Sequence, residues 1–249
     1  MLIKIDGCFY EGNSGETLME LAKRNNIDIP HLCYKDGFEG LGRCRLCLVE
    51  VIEGKRKKIV SSCVYPIQEG IEVNTTSEKI NKMRKDIILL LLFRTPENEY
   101  IKNLALEYGV SKIDRYSNKE EENCILCGLC VKACEKLGTH AISLVNRGTT
   151  KKVSTPFDDT SKDCIGCGAC VEVCPTNAIK LSDENGKRTI WNRTFDLVKC
   201  SICGKYYTTE ESLKYTLDML GTDDEEHICE YCKKKSMSSK FKESFKNIY

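Results

Sequence analysis

Apolar residues recur with two different periods along this chain, and each change of period marks a change of element. Leu2, Ile3 and Ile5, then Phe9 and Tyr10, flank the pair Asp6-Gly7 and predict two short strands around a turn. Over residues 17–25 the spacing lengthens: Leu18, Leu21 and Ala22 share one helical face. Residues 46–52 are rich in β-branched and apolar side chains and predict a central strand. A turn at Glu53-Gly54, a return strand over 58–62 and a last strand over 71–74 follow, with Pro66 and Gly70 between them. Thr75-Thr76-Ser77-Glu78 fits a capping box, after which Ile80, Met83, Ile87 and Leu91 recur at helical spacing until Pro96. A second helix is expected over 97–108, stopped by Gly109. Residues 89–93 are apolar on every side, so a neighbouring module or a partner must cover them. Further on, Leu213, Leu217 and Leu220 lie on one face of a helix over 210–220, and residues 233–246 predict a basic helix for solvent or a partner.

Charge narrows the function classes by exclusion. Lys and Arg total 38 against 37 Asp and Glu, a net charge of +1, so nothing drives the chain towards nucleic acid or a membrane surface. The N-terminus lacks a basic segment followed by an apolar one, so no signal peptide is expected. The longest apolar run, residues 87–93, falls far short of the roughly 20 residues that span a bilayer. A soluble, cytoplasmic protein is the expectation, in a reducing compartment where cysteines hold metal rather than disulfides.

Cysteine is the outlier, with 17 residues. All but Cys8 sort into sets of four, the number of thiolates that a cluster or a tetrahedral metal requires. A disulfide framework would also give even numbers, but the repeated C-x2-C spacing argues against it. Cys8 is expected to be buried in its strand. Cys33, Cys44, Cys47 and Cys63 form the first set, with Gly37, Gly40 and Gly42 free to curl the backbone around a cluster. A structural zinc site is the alternative there. His31, two residues before Cys33, reads as a loop cap rather than a ligand. The next two sets repeat C-x2-C-x2-C-x3-C at Cys124, Cys127, Cys130, Cys134 and at Cys164, Cys167, Cys170, Cys174. In two-cluster ferredoxins the fourth cysteine of each run ligates the other cluster. Cys124, Cys127, Cys130 and Cys174 are therefore expected to hold one [4Fe–4S] cluster, and Cys134, Cys164, Cys167 and Cys170 the other. His140 reads as a turn residue. Cys200, Cys203, Cys229 and Cys232 form two C-x2-C knuckles, an S4 site for zinc or for a single rubredoxin-type iron. Lys233 follows the second knuckle where rubredoxin-like sites usually have glycine, which favours zinc; His227 is a weaker ligand candidate.

The first set, read with Gly42-Arg43-Cys44-Arg45-Leu46-Cys47-Leu48-Val49-Glu50-Val51, resembles the N-terminal [2Fe–2S] domain shared by the complex I large iron–sulfur subunit and multi-cluster [FeFe] hydrogenases. Cys134-Glu135-Lys136-Leu137 through Val153-Ser154-Thr155-Pro156-Phe157 extends that likeness to about residue 182. The resemblance implies a β-grasp domain around one [2Fe–2S] cluster. The family carries an extra [4Fe–4S] cluster on one histidine and three cysteines in the connector, and this sequence has none of those ligands. The knuckle–helix–knuckle tail is loosely similar to that of some membrane-hydrogenase electron-transfer subunits.

The expected architecture is α+β: a β-grasp [2Fe–2S] domain (1–76), a helical connector (77–119), a two-[4Fe–4S] ferredoxin domain (120–182) and a zinc ribbon with a basic tail (195–249). No G-x-G-x-x-G fingerprint, P-loop or Ser/His/Asp arrangement is present, and the chain ends near where a hydrogenase's catalytic domain would begin. It reads as a wire whose catalyst sits elsewhere. The resemblance implies an electron-transfer subunit of an electron-bifurcating, flavin-dependent NAD(P)H–ferredoxin complex of transhydrogenase, hydrogenase or formate dehydrogenase type. Its partners would be flavin- and NADH-binding and thioredoxin-like [2Fe–2S] subunits resembling those of complex I, and soluble ferredoxin. The alternatives are a free polyferredoxin serving several enzymes and a redox-sensing regulator acting through the zinc ribbon.

Overall fold

The computed structural model describes residues 1–111, 122–222 and 227–246, with side chains described to residue 238. The expected boundary between connector and ferredoxin module, near residue 120, lies outside the described residues. In chain order the elements are β1 (Leu2–Ile5), β2 (Cys8–Glu11), α1 (Leu18–Arg24), β3 (Leu48–Glu53), β4 (Arg56–Ser61), β5 (Glu72–Asn74), α2 (Glu78–Arg94), α3 (Glu99–Glu107), α4 (Leu129–Lys136), β6 (Ser143–Val145), β7 (Lys152–Ser154) and α5 (Ala169–Glu172). Then come β8 (Leu181–Glu184), β9 (Lys187–Ile190), β10 (Arg193–Lys199), β11 (Tyr206–Thr209), α6 (Glu210–Leu220) and α7 (Glu230–Lys246). They fall into two compact units. The first comprises Met1–Ala133, Leu144–Val153 and Cys170–Ile179; the second comprises Cys134–Ser143, Ser154–Ala169 and Lys180–Tyr249.

In the first unit a mixed sheet, ordered β2-β1-β5-β3-β4, wraps one helix. β1 runs parallel to β5, and the remaining pairs are antiparallel. Ile3, Ile5, Val49, Val51 and Val73 point from alternate sheet positions onto Leu18, Leu21 and Ala22 of α1. Each large aliphatic side chain buried in this way contributes about 1.5–3 kcal/mol. α1 starts with a capping box, in which Thr17 accepts from the Glu20 N–H and Glu20 reaches back to the Thr17 N–H at 2.7 Å.

Three expectations change on contact with this fold. Cys8 is exposed, not buried, because β2 is the edge strand and none of its residues is buried. α2 is capped by Ser77, not Thr75, since Thr75 donates its N–H and hydroxyl to Asp6. The buried stripe of α2 is Ile80, Arg84, Ile88 and Leu92, one step round from the expected one, and it contains a charge. Of the apolar run of α2, Leu90 remains 65% exposed, while residues 87–89 and 91–93 are buried or half-buried.

The second unit holds an antiparallel sheet ordered β11-β10-β9-β8. Asn185 (φ 51°) and Gly186 (φ 77°) close the β8–β9 hairpin, the left-handed pair that matches strand twist. No helix among the described residues is long and apolar enough to cross a membrane.

Candidate metal centres

The loop between α1 and β3 carries Cys33, Cys44 and Cys47, and the turn after β4 brings Cys63 to them. The Leu32 N–H donates to Cys44 Sγ at 3.4 Å, the Cys44 N–H donates to Cys33 Sγ at 3.3 Å, and Cys47 Sγ lies 3.4 Å from Cys63 Sγ. A Cβ on Gly40 would fall 1.8 Å from the Cys63 carbonyl oxygen, so the loop closes only with glycine there. Hydrogen bonds from the Cys44 and Cys63 thiols hold Cys33 far below the usual thiol range, and the same contacts push Cys44 and Cys63 upward. The Cys63 side chain likewise lowers Cys47 to about 6, so Cys33 and Cys47 form thiolates readily, but four adjacent ones require cations among them. That donor set fits an iron–sulfur cluster. His31 is no part of it: its Nδ1 lies 2.8 Å from the Ile29 carbonyl and its ring meets Tyr34 edge-on.

The ferredoxin thiols cross over in space. Within the first unit, the charge of Cys174 acts on both Cys124 and Cys127. Within the second, Cys134 and Cys167 act on Cys164. Each fourth cysteine is therefore near the opposite run. Cys170, at the start of α5, belongs to the first unit and acts on Cys130. Burial pushes the Cys127 thiol up to about 11 and Cys130 up to about 12, so without cations these sulfurs stay protonated.

The repeat also runs deeper than its cysteines. Cys134 Sγ accepts from the Ala141 N–H at 3.2 Å, and Cys174 Sγ accepts from the Ala178 N–H at 3.3 Å. Thr139 and Thr176 place hydroxyls 3.1 and 3.7 Å from the same two sulfurs. Between threonine and alanine, His140 (φ 49°) and Asn177 (φ 50°) both take the left-handed conformation. His140 is thus a turn residue, as its position implied.

In the second unit the sheet clamps the loop that carries Cys164 and Cys167. Arg193 Nη1 donates to the carbonyls of Ser161, Lys162 and Cys164 at 3.0, 3.0 and 2.7 Å. Arg188 Nη1 donates to the Gly166 carbonyl at 3.1 Å, and the Thr209 hydroxyl donates to the Ile165 carbonyl at 2.5 Å. Gly166 (φ 66°) leaves no room for a side chain, since a Cβ would lie 2.8 Å from the Phe195 ring. Cysteine spacing reveals none of these residues. The Asn185-Gly186 hairpin signal is the available pointer to the strand that supplies one of them, Arg188 on β9.

The last four thiols also converge: Cys200, Cys203, Cys229 and Cys232 place their sulfurs within 4.8 Å of one another. Cys203 and Cys229 are 3.8 Å apart, about the edge of a tetrahedron with ~2.3 Å metal–sulfur bonds. The first knuckle turns through Gly204, whose N–H donates to the Cys200 carbonyl at 2.9 Å. The Cys229 N–H donates to Cys200 Sγ at 3.3 Å and leads the effects that lower the Cys200 thiol to about 6. Burial raises Cys232 to about 12. His227 offers its carbonyl, which accepts from the Ser201 N–H at 2.8 Å, and stands outside the thiol cluster.

Residues 2–78 match the family described as "2Fe-2S iron-sulfur cluster binding domain". Residues 118–181 match one family described as "4Fe-4S dicluster domain", and residues 163–205 match a second of the same description. The chain is an iron–sulfur protein. Its similar proteins include "NADH-ubiquinone oxidoreductase 75 kDa subunit" of Reclinomonas americana, 29% identical over 175 residues, covering 61% of this iron–sulfur protein and 25% of the relative. "NADP-reducing hydrogenase subunit HndD" of Solidesulfovibrio fructosivorans is 31% identical over 188 residues, covering 64% and 32%. "NADPH-Fe(3+) oxidoreductase subunit alpha" of Geobacter sulfurreducens is 30% identical over 177 residues, covering 61% and 21%. Among solved structures, a chain of an NAD+-reducing [NiFe]-hydrogenase in the H2-reduced state superposes with a TM-score of 0.55 at 25% identity, covering 62% of this chain and 74% of that one. The iron–sulfur protein thus spans only a third or less of the length of these curated relatives.

Proposed function

We propose that this chain relays electrons through three clusters as a subunit of a flavin-dependent, electron-bifurcating NAD(P)H–ferredoxin oxidoreductase. Cys33, Cys44, Cys47 and Cys63 would hold a [2Fe–2S] cluster. Cys124, Cys127, Cys130 and Cys174 would hold one [4Fe–4S] cluster, and Cys134, Cys164, Cys167 and Cys170 the other. Cys200, Cys203, Cys229 and Cys232 would hold a structural zinc ion in a ribbon that braces the second ferredoxin loop. When bound, the clusters supply low-potential one-electron carriers. The protein supplies the thiolates, the N–H groups that temper their charge and the apolar cover that excludes water.

One observation carries this reading. Cys33 of the first thiol set and Cys127 of the second lie in a single buried core with Leu32, Leu46, Ile125 and Leu129, and half-buried Cys44 packs against it. The negative charge of Cys33 adds to that acting on Cys127. Two cluster sites that share one core are adjacent, as a relay requires. The relatives named for NADH and NADPH motivate the choice of partners: flavin- and NADH-binding and thioredoxin-like [2Fe–2S] subunits, and soluble ferredoxin, in the cytoplasm. Anaerobic co-purification from the native source tests it. Recovery with a flavoprotein and pyridine-nucleotide-dependent cluster reduction is expected; a stable lone chain reduced equally by unrelated enzymes would favour a free polyferredoxin instead.

A further inference from the structure

The buried stripe of α2 contains one cation, Arg84, only 2% exposed. Its Nε donates to the Leu46 carbonyl at 3.0 Å, and its Nη2 donates to the carbonyls of Leu48 and Thr75 at 2.9 and 3.0 Å. Leu46 and Leu48 flank Cys47, so the guanidinium spans the backbone on both sides of a thiol of the first set. A buried charge is costly unless it is hydrogen-bonded and its field is compensated. Here three neutral carbonyls and the Tyr108 side chain hydrogen-bond the guanidinium but do not neutralise its charge. The groups acting on Arg84 are the Tyr108 side chain at the end of α3, Cys47 and Asp28. Asp28 is exposed, and Tyr108 is normally neutral. Burial pulls the guanidinium below its ordinary value, and these three groups pull it back. Of the three, the Cys47 side is where negative charge accumulates in a loaded centre.

We infer that Arg84 is a positioning residue for the [2Fe–2S] centre: it fixes the Leu46–Leu48 backbone that presents Cys47, and its charge favours the reduced, more negative state of that centre. The inference rests on the assignment of a [2Fe–2S] cluster to Cys33, Cys44, Cys47 and Cys63. Reduction adds one negative charge to the centre and none to Arg84, which stays protonated throughout. A fixed buried cation therefore stabilises the product of reduction more than the reactant. The connector is then more than a spacer, since one of its helices sets the driving force for electrons entering or leaving the first cluster.

The test is an EPR-monitored redox titration of the full chain with its clusters reconstituted, comparing wild type with Arg84→Met, Arg84→Gln and Arg84→Lys. Arg84→Met and Arg84→Gln should shift the [2Fe–2S] midpoint to lower potential and leave both [4Fe–4S] midpoints in place. Arg84→Lys, which keeps the charge and loses the fork, should restore most of the wild-type value. Gln retains hydrogen-bond donors and substitutes for Met if that variant fails to fold. If both neutral variants fail, Arg84→Lys decides alone: a retained midpoint supports the inference, and a marked fall overturns it. A [2Fe–2S] midpoint unmoved by the neutral variants, or moved equally by Lys, would show a purely mechanical role. Absence of any [2Fe–2S] signal in the wild type would instead remove the cluster assignment.

Discussion

Arg43 lies against Gly128: a Cβ built on the glycine would sit 2.6 Å from Nη1 and 3.0 Å from Cζ of the guanidinium. Arg43 precedes Cys44 in the first thiol loop, and Gly128 follows Cys127 in the second, so this contact joins the loops of two adjacent centres. Gly128 also holds φ +83°, a conformation that costs other residues about 1–2 kcal/mol. Gly128→Ala is expected to lower the melting temperature by roughly 2–8 °C for a chain of this size. It should weaken the [4Fe–4S] signal assigned to Cys124, Cys127, Cys130 and Cys174 while sparing the [2Fe–2S] signal, as parallel calorimetry and EPR would show.

Gly40 makes a sharper prediction. Its Cβ would overlap the Cys63 backbone carbonyl, which cannot swing aside as a side chain can. Gly40→Ala should prevent closure of the first thiol loop. The expected outcome is loss of most [2Fe–2S] absorption after reconstitution, with iron content falling by about two per chain and the [4Fe–4S] bands retained.

The crossed ligation proposed above would separate two conservative variants. Cys174→Ser should perturb the cluster held by the first run, because Cys174 acts on Cys124 and Cys127. Cys134→Ser should perturb the cluster held by the second run, because Cys134 acts on Cys164. Mössbauer spectra of singly depleted proteins, each variant combined with serine at Cys127 or Cys167, would reveal the pairing. Damage confined to the run that carries each substitution would contradict the crossing.

Much of this arrangement is legible in the sequence, for reasons that differ between modules. The apolar strand residues around Ile3, the β-branched and apolar run around Val49 and the helical face of Leu18 and Leu21 are strong local signals, and the structure keeps them. The α2 cap is misread because Thr75 and Ser77 are both competent caps, and only tertiary structure shows that Thr75 is held by Asp6. β8 (Leu-Ser-Asp-Glu) and β9 (Lys-Arg-Thr-Ile) carry one large apolar residue each, at their paired ends Leu181 and Ile190, too few to show alternation. Arg84 occupies a core position in a stripe otherwise apolar, and a pattern of hydrophobic spacing passes over a charge by construction. The sets of four cysteines follow from counting, but the residues that hold the loop of Cys164 and Cys167, Arg188, Arg193 and Thr209, come from strands further along the chain.

The site of Cys200, Cys203, Cys229 and Cys232, where zinc is proposed, should respond to acid. The Cys200 thiol is lowered from 9.0 to about 6, led by the Cys229 N–H. A group lowered on folding stabilises fully above its unfolded value and loses that contribution as pH falls through its folded value. In the metal-free protein the Cys200 thiolate should therefore hold at pH 9 and be lost as pH falls through about 6, and metal binding, which needs thiolates, should weaken as pH falls. Zinc release followed by a colorimetric chelator should rise over that range, and Cys229→Ser should raise release at every pH.

The central claim, that three iron–sulfur centres sit on one chain, is tested most directly by anaerobic reconstitution followed by iron and acid-labile sulfide analysis and a reductive EPR titration. The account predicts about ten iron and ten sulfide per chain, with one [2Fe–2S] signal and two interacting [4Fe–4S] signals. Protein that folds and binds metal but contains no labile sulfide, or shows a single cluster type, would contradict it.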